Sequence, residues 1–125
     1  MDDTVKNDMV KEVGQLLDDH RGIDTLVLDV RENCSWTDYF IITTTTSQGH
    51  LRGLVRQLDD YLTDQGIEIA RRTKSIEDEG WTLLDCGFFV VHLMSREFRD
   101  FYNLEKLWYT GKLLFEGREK EAPVV

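Results

Sequence analysis

The chain has 125 residues, of which 41% are hydrophobic and 31% are charged, so it can form one domain around a single core and is too short for two. This composition excludes a chain that is disordered throughout. The formal charge of −9, from 24 acidic and 15 basic residues, argues against a protein whose main contacts are nucleic-acid phosphates.

The N-terminal segment predicts an amphipathic helix over residues 4–20. Asp3 is placed to cap its start and Gly22 to end it. The apolar residues at helical spacing are Val5, Met9, Val13, Leu16 and Leu17. The first ten residues have the pattern of neither a secretory signal nor a transit peptide, and no apolar run approaches the ~18 residues of a membrane span. We therefore expect a soluble, cytoplasmic protein.

Two short strands and a second helix follow. Residues 25–30 and 39–45 are rich in β-forming residues, and the polar turn 31–35 joins them. Thr46 or Ser47 can cap the next helix, which ends before Gly66. The apolar residues that predict this helix by their spacing are Leu51, Leu54, Val55, Leu58 and Leu62.

Three further strands are predicted in the second half of the chain. Residues 67–70 are a short strand candidate, and residues 74–80 read as a charged loop. Strands are predicted at 81–86 and 88–94. Only Gly87 lies between them, one residue fewer than an ordinary hairpin loop requires, so we expect a bulge or one long bent strand there.

A last helical stretch is predicted after these strands. Ser95 can cap its start, and a break is expected near Asn103. Its aromatic and aliphatic residues are Phe98, Phe101, Tyr102, Leu104, Leu107 and Trp108. They are too many for an exposed helix, so we expect some to cover a sheet and others to be able to join two protomers.

The element order α-β-β-α-β-β-β-α predicts the α/β class, as a single layered domain with a mixed sheet of about five strands and flanking helices. The apolar run at 88–94 is typical of a central strand that is covered on both faces. We expect the domain to span residues 1–116 and residues 117–125 to be a disordered tail.

Catalytic patterns are weak in this sequence. Metal-dependent nucleotidyl transfer requires carboxylates on one face of a strand, and the predicted strands contain no acid-x-acid pair. A phosphate-binding P-loop is also missing. Cys34 and Cys86 have no paired spacing, so neither a metal site nor a disulfide framework is indicated. His92 could act as a general base, although a hydrogen-bonded core histidine explains it better.

The row formed by Trp81, Leu83 and Asp85 is the strongest candidate for a binding site. Alternation along a strand puts the three side chains on one face. An aromatic anchor, an aliphatic residue and a carboxylate could form an interface hot spot. The alternative, that Trp81 and Leu83 simply belong to the core, stays open at this point.

Four blocks of the sequence resemble the ribosomal silencing factor family, also called the Iojap or oligomerisation-domain family. The blocks lie in order over residues 5–110, and together they are highly specific. They are Thr37-Asp38-Tyr39-Phe40-Ile41-Ile42; Thr46-Ser47 with His50; Gly80-Trp81-x-Leu83-Leu84-Asp85-x-Gly87 with Val90-Val91-His92; and Arg99-x-x-Tyr102-x-Leu104-Glu105-x-Leu107-Trp108. The chain departs from the family pattern at Lys74-Ser75, Phe88 and Thr45-Thr46.

The resemblance implies a fold related to nucleotidyltransferases without their active site, and a protein that is not an enzyme and has no cofactor. It implies docking on protein fourteen of the large ribosomal subunit, where the bound domain blocks the small subunit and represses translation when nutrients are limiting. It further implies a homodimer in isolation. The net negative charge predicts that the chain binds a basic ribosomal protein and makes little direct contact with RNA.

The resemblance also assigns roles to individual residues. Trp81, Leu83, Asp85 and Tyr102 would contact the ribosomal protein. The motif residues expected to be structural are Asp38, Tyr39, Phe40, Ser47, His50, Gly87, His92, Arg99, Leu104, Glu105 and Trp108. Two alternatives remain: a large-subunit assembly factor, and a nucleotidyltransferase-like enzyme with His92, Asp38 and Asp85 as its site.

Overall fold

The computed structural model describes residues 2–69, 71–74, 80–103, 106 and 111–117. These residues form three helices and six strands in one sheet. In chain order the elements are α1 (Asp3–Asp19), β1 (Ile23–Asp29), β2 (Tyr39–Thr45), α2 (Gln48–Asp64), β3 (Arg71–Lys74), β4 (Trp81–Asp85), β5 (Phe89–Ser95), α3 (Arg96–Tyr102) and β6 (Lys112–Glu116). Within the described residues, no helix combines the length and the hydropathy needed to cross a membrane.

The sheet is mixed, as the sequence predicted, and its strand order is β3-β4-β5-β2-β1-β6. Its two central strands, β2 and β5, run parallel with Ile41 opposite Val91, and every other pairing is antiparallel. The apolar run predicted as a central strand therefore is one. It is buried on both faces from Phe89 to Met94.

Helices α1 and α2 cover one face of this sheet. Val13 and Leu17 of α1 and Leu54 and Leu58 of α2 are at most 1% exposed and share one cluster with alternate residues of the central strands. The opposite face carries a smaller cluster, which α3 contacts through Phe98. Each fully buried aliphatic or aromatic side chain contributes ~1.5–3 kcal/mol.

Side-chain caps fix the starts of the helices. The Ser47 hydroxyl accepts from the backbone N–H of His50 at 3.1 Å, and Ser95 accepts from Phe98 at 3.2 Å, so both predicted caps are confirmed. The cap of α1 is Asp2, whose carboxylate accepts from Val5 at 2.9 Å. The prediction of Asp3 was wrong by one residue, because Asp3 already has helical geometry.

The end of α1 also differs from the prediction. Arg21, with φ 72°, adopts the left-handed conformation that was expected of Gly22. Gly22 is needed for space, because a Cβ there would lie 2.3 Å from the Thr43 Oγ1 atom and 2.8 Å from the Leu17 carbonyl oxygen. The predicted break near Asn103 is confirmed, because α3 ends at Tyr102 and Asn103 adopts the left-handed conformation with φ 47°.

Strand β3 lies later in the chain than predicted. The strand candidate 67–70 is wrong for residues 67–69, which follow a turn at Gly66 and have no regular structure. Ile67 and Ile69 are apolar because they pack against the core on the helix side, without pairing in the sheet. The strand itself is Arg71–Lys74, so Lys74 belongs to it and not to the predicted charged loop.

The connection at Gly87 is a tight antiparallel turn, so the predicted bulge or bent strand was wrong. Gly87 has φ 92°, and its N–H donates to the Asp85 carboxylate at 3.0 Å. The Cys86 N–H donates to the Phe89 carbonyl at 2.9 Å, which closes the turn. Phe88 therefore lies in the turn and not in the predicted strand.

Strand β6 was not predicted. It pairs with β1 and places Val27 opposite Phe115. The sequence of residues 112–116, a short apolar run between charges, does not distinguish strand from helix by periodicity. Gly117 still donates its N–H to the Thr25 carbonyl at 2.7 Å. The rest of the predicted tail lies outside the described residues.

Candidate partner-binding surface

Strand β4 presents the predicted row of side chains on one face. Trp81, Leu83 and Asp85 are partly buried, whereas Thr82 and Leu84 between them point into the protein and are at most 4% exposed. Trp81 and Leu83 pack at the border of the smaller core cluster. Trp81 and Leu83 therefore contribute to the core, as one interpretation of the sequence held. They also keep part of their surface exposed to solvent, as a binding site requires.

Tyr102, the last residue of α3, lies against Trp81. Their ring centroids are 4.8 Å apart, and Tyr102 is also stacked on Phe98 at 5.7 Å. Tyr102 is 46% exposed and Phe101 beside it is 79% exposed. The structure therefore brings Trp81 and Tyr102 together from two elements and adds Phe101 to the same patch.

Arg99 fixes the position of this short helix. It is 2% exposed, and its guanidinium donates to the Ile23 carbonyl at 3.1 Å and to the Thr44 hydroxyl at 3.0 Å. These bonds attach α3 to the ends of β1 and β2. A seven-residue helix is too short to be stable alone, so such tertiary contacts hold it.

His92 lies beneath Trp81 in the middle of β5. The indole N–H of Trp81 donates to His92 Nδ1 at 3.1 Å, and His92 is 3% exposed. Burial lowers the pKa of His92 to about 4, so the ring is neutral at pH 7. Because Nδ1 accepts a hydrogen bond, the ring proton is on Nε2.

A row of ring contacts continues from His92 across the sheet. Phe40 contacts His92 edge to face at 4.8 Å, and Trp36 contacts Phe40 at 5.6 Å. Trp36 is 59% exposed. The sequence patterns did not single out Trp36; a tryptophan directly after the polar turn 31–35 was the available signal. We call Trp36, Trp81, Phe101 and Tyr102 the aromatic surface.

Ion pairs and backbone bonds hold the loop that carries Trp36. The Arg31 guanidinium lies 2.7 Å from the Asp29 carboxylate and 3.2 Å from Asp3. Burial alone would raise the pKa of Asp29, but the hydrogen bonds and the charge of Arg31 outweigh it and lower that pKa. The Val30 N–H donates to the Asp38 carbonyl at 2.9 Å, which closes the loop.

The two carboxylates of the motif have local partners. Asp85 accepts from the turn at Gly87, and in the β3–β4 register it lies opposite Arg71. Asp38 lies 3.8 Å from the ammonium group of Lys6, and its backbone N–H donates to the Phe88 carbonyl at 3.1 Å.

The catalytic alternative assigned His92, Asp38 and Asp85 to one site. Each of the three has a separate partner: the Trp81 indole, the Lys6 ammonium and the Gly87 backbone N–H. The His92 nitrogen that could take a proton is already a hydrogen-bond acceptor inside the protein. Among the described residues, no three His, Cys, Asp or Glu side chains come together as metal ligands, and Cys34 and Cys86 are free thiols.

The remaining motif residues support the fold. Tyr39 is fully buried, and burial raises its pKa. His50 Nδ1 accepts from the Thr46 N–H at 3.1 Å, so its Nε2–H donates to the His20 carbonyl at 3.1 Å and joins the end of α1 to the start of α2. The motif residues Leu104, Glu105 and Trp108 lie outside the described residues.

Comparison with known proteins agrees with this architecture. The family described as "Ribosomal silencing factor during starvation" matches residues 3–124. The protein named Ribosomal silencing factor RsfS of Treponema pallidum is 35% identical over 82% of this chain and 91% of its own length, and that of Bacillus subtilis is 32% identical over 80% and 84%.

Solved structures share the fold. A crystal structure of a Chromobacterium violaceum protein has a TM-score of 0.72 and 25% identity, and it covers 97% of this chain and 92% of its own. A Bacillus halodurans structure has a TM-score of 0.66 and 30% identity, over 81% of this chain and 93% of its own. On these matches, the chain belongs to the ribosomal silencing factor family.

Proposed function

We propose that the protein docks on the large ribosomal subunit through its protein fourteen and blocks association with the small subunit. Family membership supports an action on the ribosome. The formal charge of −9 favours a basic protein as the contact and disfavours RNA, because complementary charge speeds encounter and orients the partners. Translation would then be repressed when nutrients are limiting.

The observation that carries this proposal is the packing of Trp81 against Tyr102 at 4.8 Å beside the 79% exposed Phe101. Aromatic side chains of this kind form interface hot spots when a partner removes them from water. Trp81 and Leu83 supply the apolar anchor. Asp85 supplies a carboxylate for a Lys or Arg of the partner, in competition with its bond to the turn.

Repression by this route is steric. A folded domain of 14.6 kDa seated on the face that meets the small subunit occupies space that the small subunit needs. No bond is made or broken, so the protein acts without a cofactor and is not an enzyme. We place it in the cytoplasm, as a homodimer when free, and the aromatic surface is also available for self-association.

Replacing Trp81 tests the docking site directly. Truncating a central anchor costs ~2 kcal/mol or more, so Trp81→Ala should bind isolated large subunits roughly thirtyfold more weakly in cosedimentation. Val5→Ala is the control, because Val5 is an exposed apolar residue (47%) on α1. A Trp81→Ala protein that keeps its circular dichroism spectrum and binds as well as wild type would exclude this site.

A second function, in assembly of the large subunit, is favoured by one relative. A mouse protein named Mitochondrial assembly of ribosomal large subunit protein 1 is 35% identical over 74% of this chain and 42% of its own length. Light scattering of purified mature subunits separates the two functions. We expect the protein to reduce subunit joining in proportion to its occupancy of the large subunit, whereas an assembly factor would leave joining unchanged.

A further inference from the structure

The hydrogen bond between Trp81 and His92 joins an exposed surface to the buried centre of the sheet. The donor is the indole N–H of Trp81, the acceptor is His92 Nδ1, and the atoms are 3.1 Å apart. Trp81 is on β4, next to the basic edge strand β3, whereas His92 is on the central strand β5, where it is 3% exposed. The bond therefore fixes the outer ring from a rigid part of the fold.

A histidine at position 92 lowers the stability of the folded protein. Once Nδ1 accepts from Trp81, the Nε2–H is the other polar group of the ring, and it is buried without a hydrogen-bond partner among the described residues. A desolvated N–H lowers stability, so a leucine or phenylalanine would suit the apolar surroundings better. What the histidine supplies, and an apolar side chain would not, is the acceptor for the Trp81 N–H.

We propose that His92 is a positioning residue for the docking surface, which holds the Trp81 ring, and through it Tyr102, in the orientation that a partner meets. This inference rests on the proposed function. His92 itself is too buried to touch the partner, so it acts only through Trp81. Its low pKa, about 4, keeps the acceptor nitrogen unprotonated at neutral pH.

The same bond determines what Trp81 offers to the partner. Its one polar group, the N–H, is bonded to His92, so the part of the indole that is left for a partner is hydrocarbon, and it lies against the Tyr102 ring. The matching surface on the ribosomal protein is therefore apolar at this point, for example the methylene stems of its lysine and arginine side chains.

Variants at position 92 test the proposal. His92→Phe keeps a ring and removes the acceptor, His92→Leu removes both, and His92→Asn restores an acceptor at the δ position. Met94→Leu is the matched control, since Met94 is buried in the smaller core cluster on which Trp81 packs and lies opposite Trp81 in the sheet, whereas the Trp81 N–H bonds to His92. Each is measured for urea stability and for affinity to large subunits.

The expected result separates stability from binding. His92→Phe and His92→Leu should be as stable as wild type at pH 7 or more stable, and should bind the subunit roughly five- to tenfold more weakly. His92→Asn should recover part of that loss, and Met94→Leu should bind within about twofold of wild type. In a Trp81→Phe background, the change His92→Phe should add no further loss.

An independent readout follows the indole directly. The Trp81 N–H resonance, identified by its disappearance in Trp81→Phe, should be protected from solvent exchange in wild type and should lose that protection in His92→Phe. An unchanged resonance would overturn the hydrogen bond. A lost bond with unchanged affinity would overturn the positioning role, provided Trp81→Ala is impaired; if Trp81→Ala binds normally as well, the docking site itself is wrong and both proposals fall.

Discussion

At the scale of single residues, His92 makes the stability of the fold depend on pH. Burial lowers its pKa from the ordinary 6.5 to about 4, so between these values the unfolded chain binds a proton that the folded protein does not. The titration of His92 therefore leaves the free energy of unfolding unchanged above pH 6.5 and lowers it progressively as the pH falls from 6.5 toward 4. The slope reaches at most ~1.4 kcal/mol per pH unit.

The difference between wild type and His92→Phe isolates this contribution, because the carboxylates titrate alike in both. Urea unfolding at pH 7, 6 and 5 should show the stability advantage of His92→Phe growing as the pH falls. A difference that stays constant over this range would mean that the histidine titrates normally in the folded state.

Single residues were predictable where neighbours in the chain decide their position. The common face of Trp81, Leu83 and Asp85 follows from alternation, and the caps at Ser47 and Ser95 follow from local hydrogen bonding. The ring contacts between β2, β5 and β4 could not be predicted. They depend on which strands are neighbours in the sheet, and periodicity carries no information about strand order.

At the scale of elements, the two helical glycines Gly14 and Gly53 should respond oppositely to the same change. A Cβ on Gly14 would lie 2.6 Å from Val27 Cγ2 and 2.9 Å from the Phe115 ring, because α1 lies close to the sheet there. A Cβ on Gly53 would meet nothing within 4 Å. Gly14→Ala should therefore destabilise the protein by ~1–3 kcal/mol, and Gly53→Ala should stabilise it by about 0.5–1 kcal/mol.

Urea unfolding of the two alanine variants checks this contrast. Because both substitutions raise helix propensity equally, the difference between them measures the packing of α1 on β1 and β6 alone. Two equal stabilisations would show that the helix can move outward at little cost.

The elements themselves were predictable to the extent that their patterns are long. Helices α1 and α2 and the buried strand β5 have strong periodicity or a continuous apolar run, and they were found within one or two residues. Strands β3 and β6 have four and five residues. Strand β3 is charged and was predicted too early, at residues 67–70, with Lys74 assigned to a loop, because its place in the sheet comes from pairing with β4 rather than from its composition.

At the scale of the whole molecule, the charge of −9 should act on the rate of encounter. Screening shortens the reach of charges from ~10 Å at 0.1 M salt to less at higher salt. The association rate constant with isolated protein fourteen, measured by surface plasmon resonance, should therefore fall roughly tenfold between about 0.05 M and 0.5 M salt.

The dissociation rate in the same experiment should change much less, since the aromatic anchor holds the complex by apolar contact. A salt effect confined to dissociation would indicate that ion pairs, and not the aromatic surface, carry the affinity. The Asp85→Asn variant should show a slightly weaker dependence of the association rate on salt, because it removes one negative charge. Its side-chain oxygen still accepts the hydrogen bond from the Gly87 N–H.

Strand β6 shields the flank of β1, whose residues Leu26, Val27 and Leu28 are at most 6% exposed. A protease that cut just before Lys112 would free β6 and expose the unpaired backbone N–H and C=O groups of β1 beside its apolar side chains. The exposed edge of β1 would pair with the same edge of a second cleaved molecule and so promote aggregation. Residues 112–116 therefore protect the rest of the domain from aggregation.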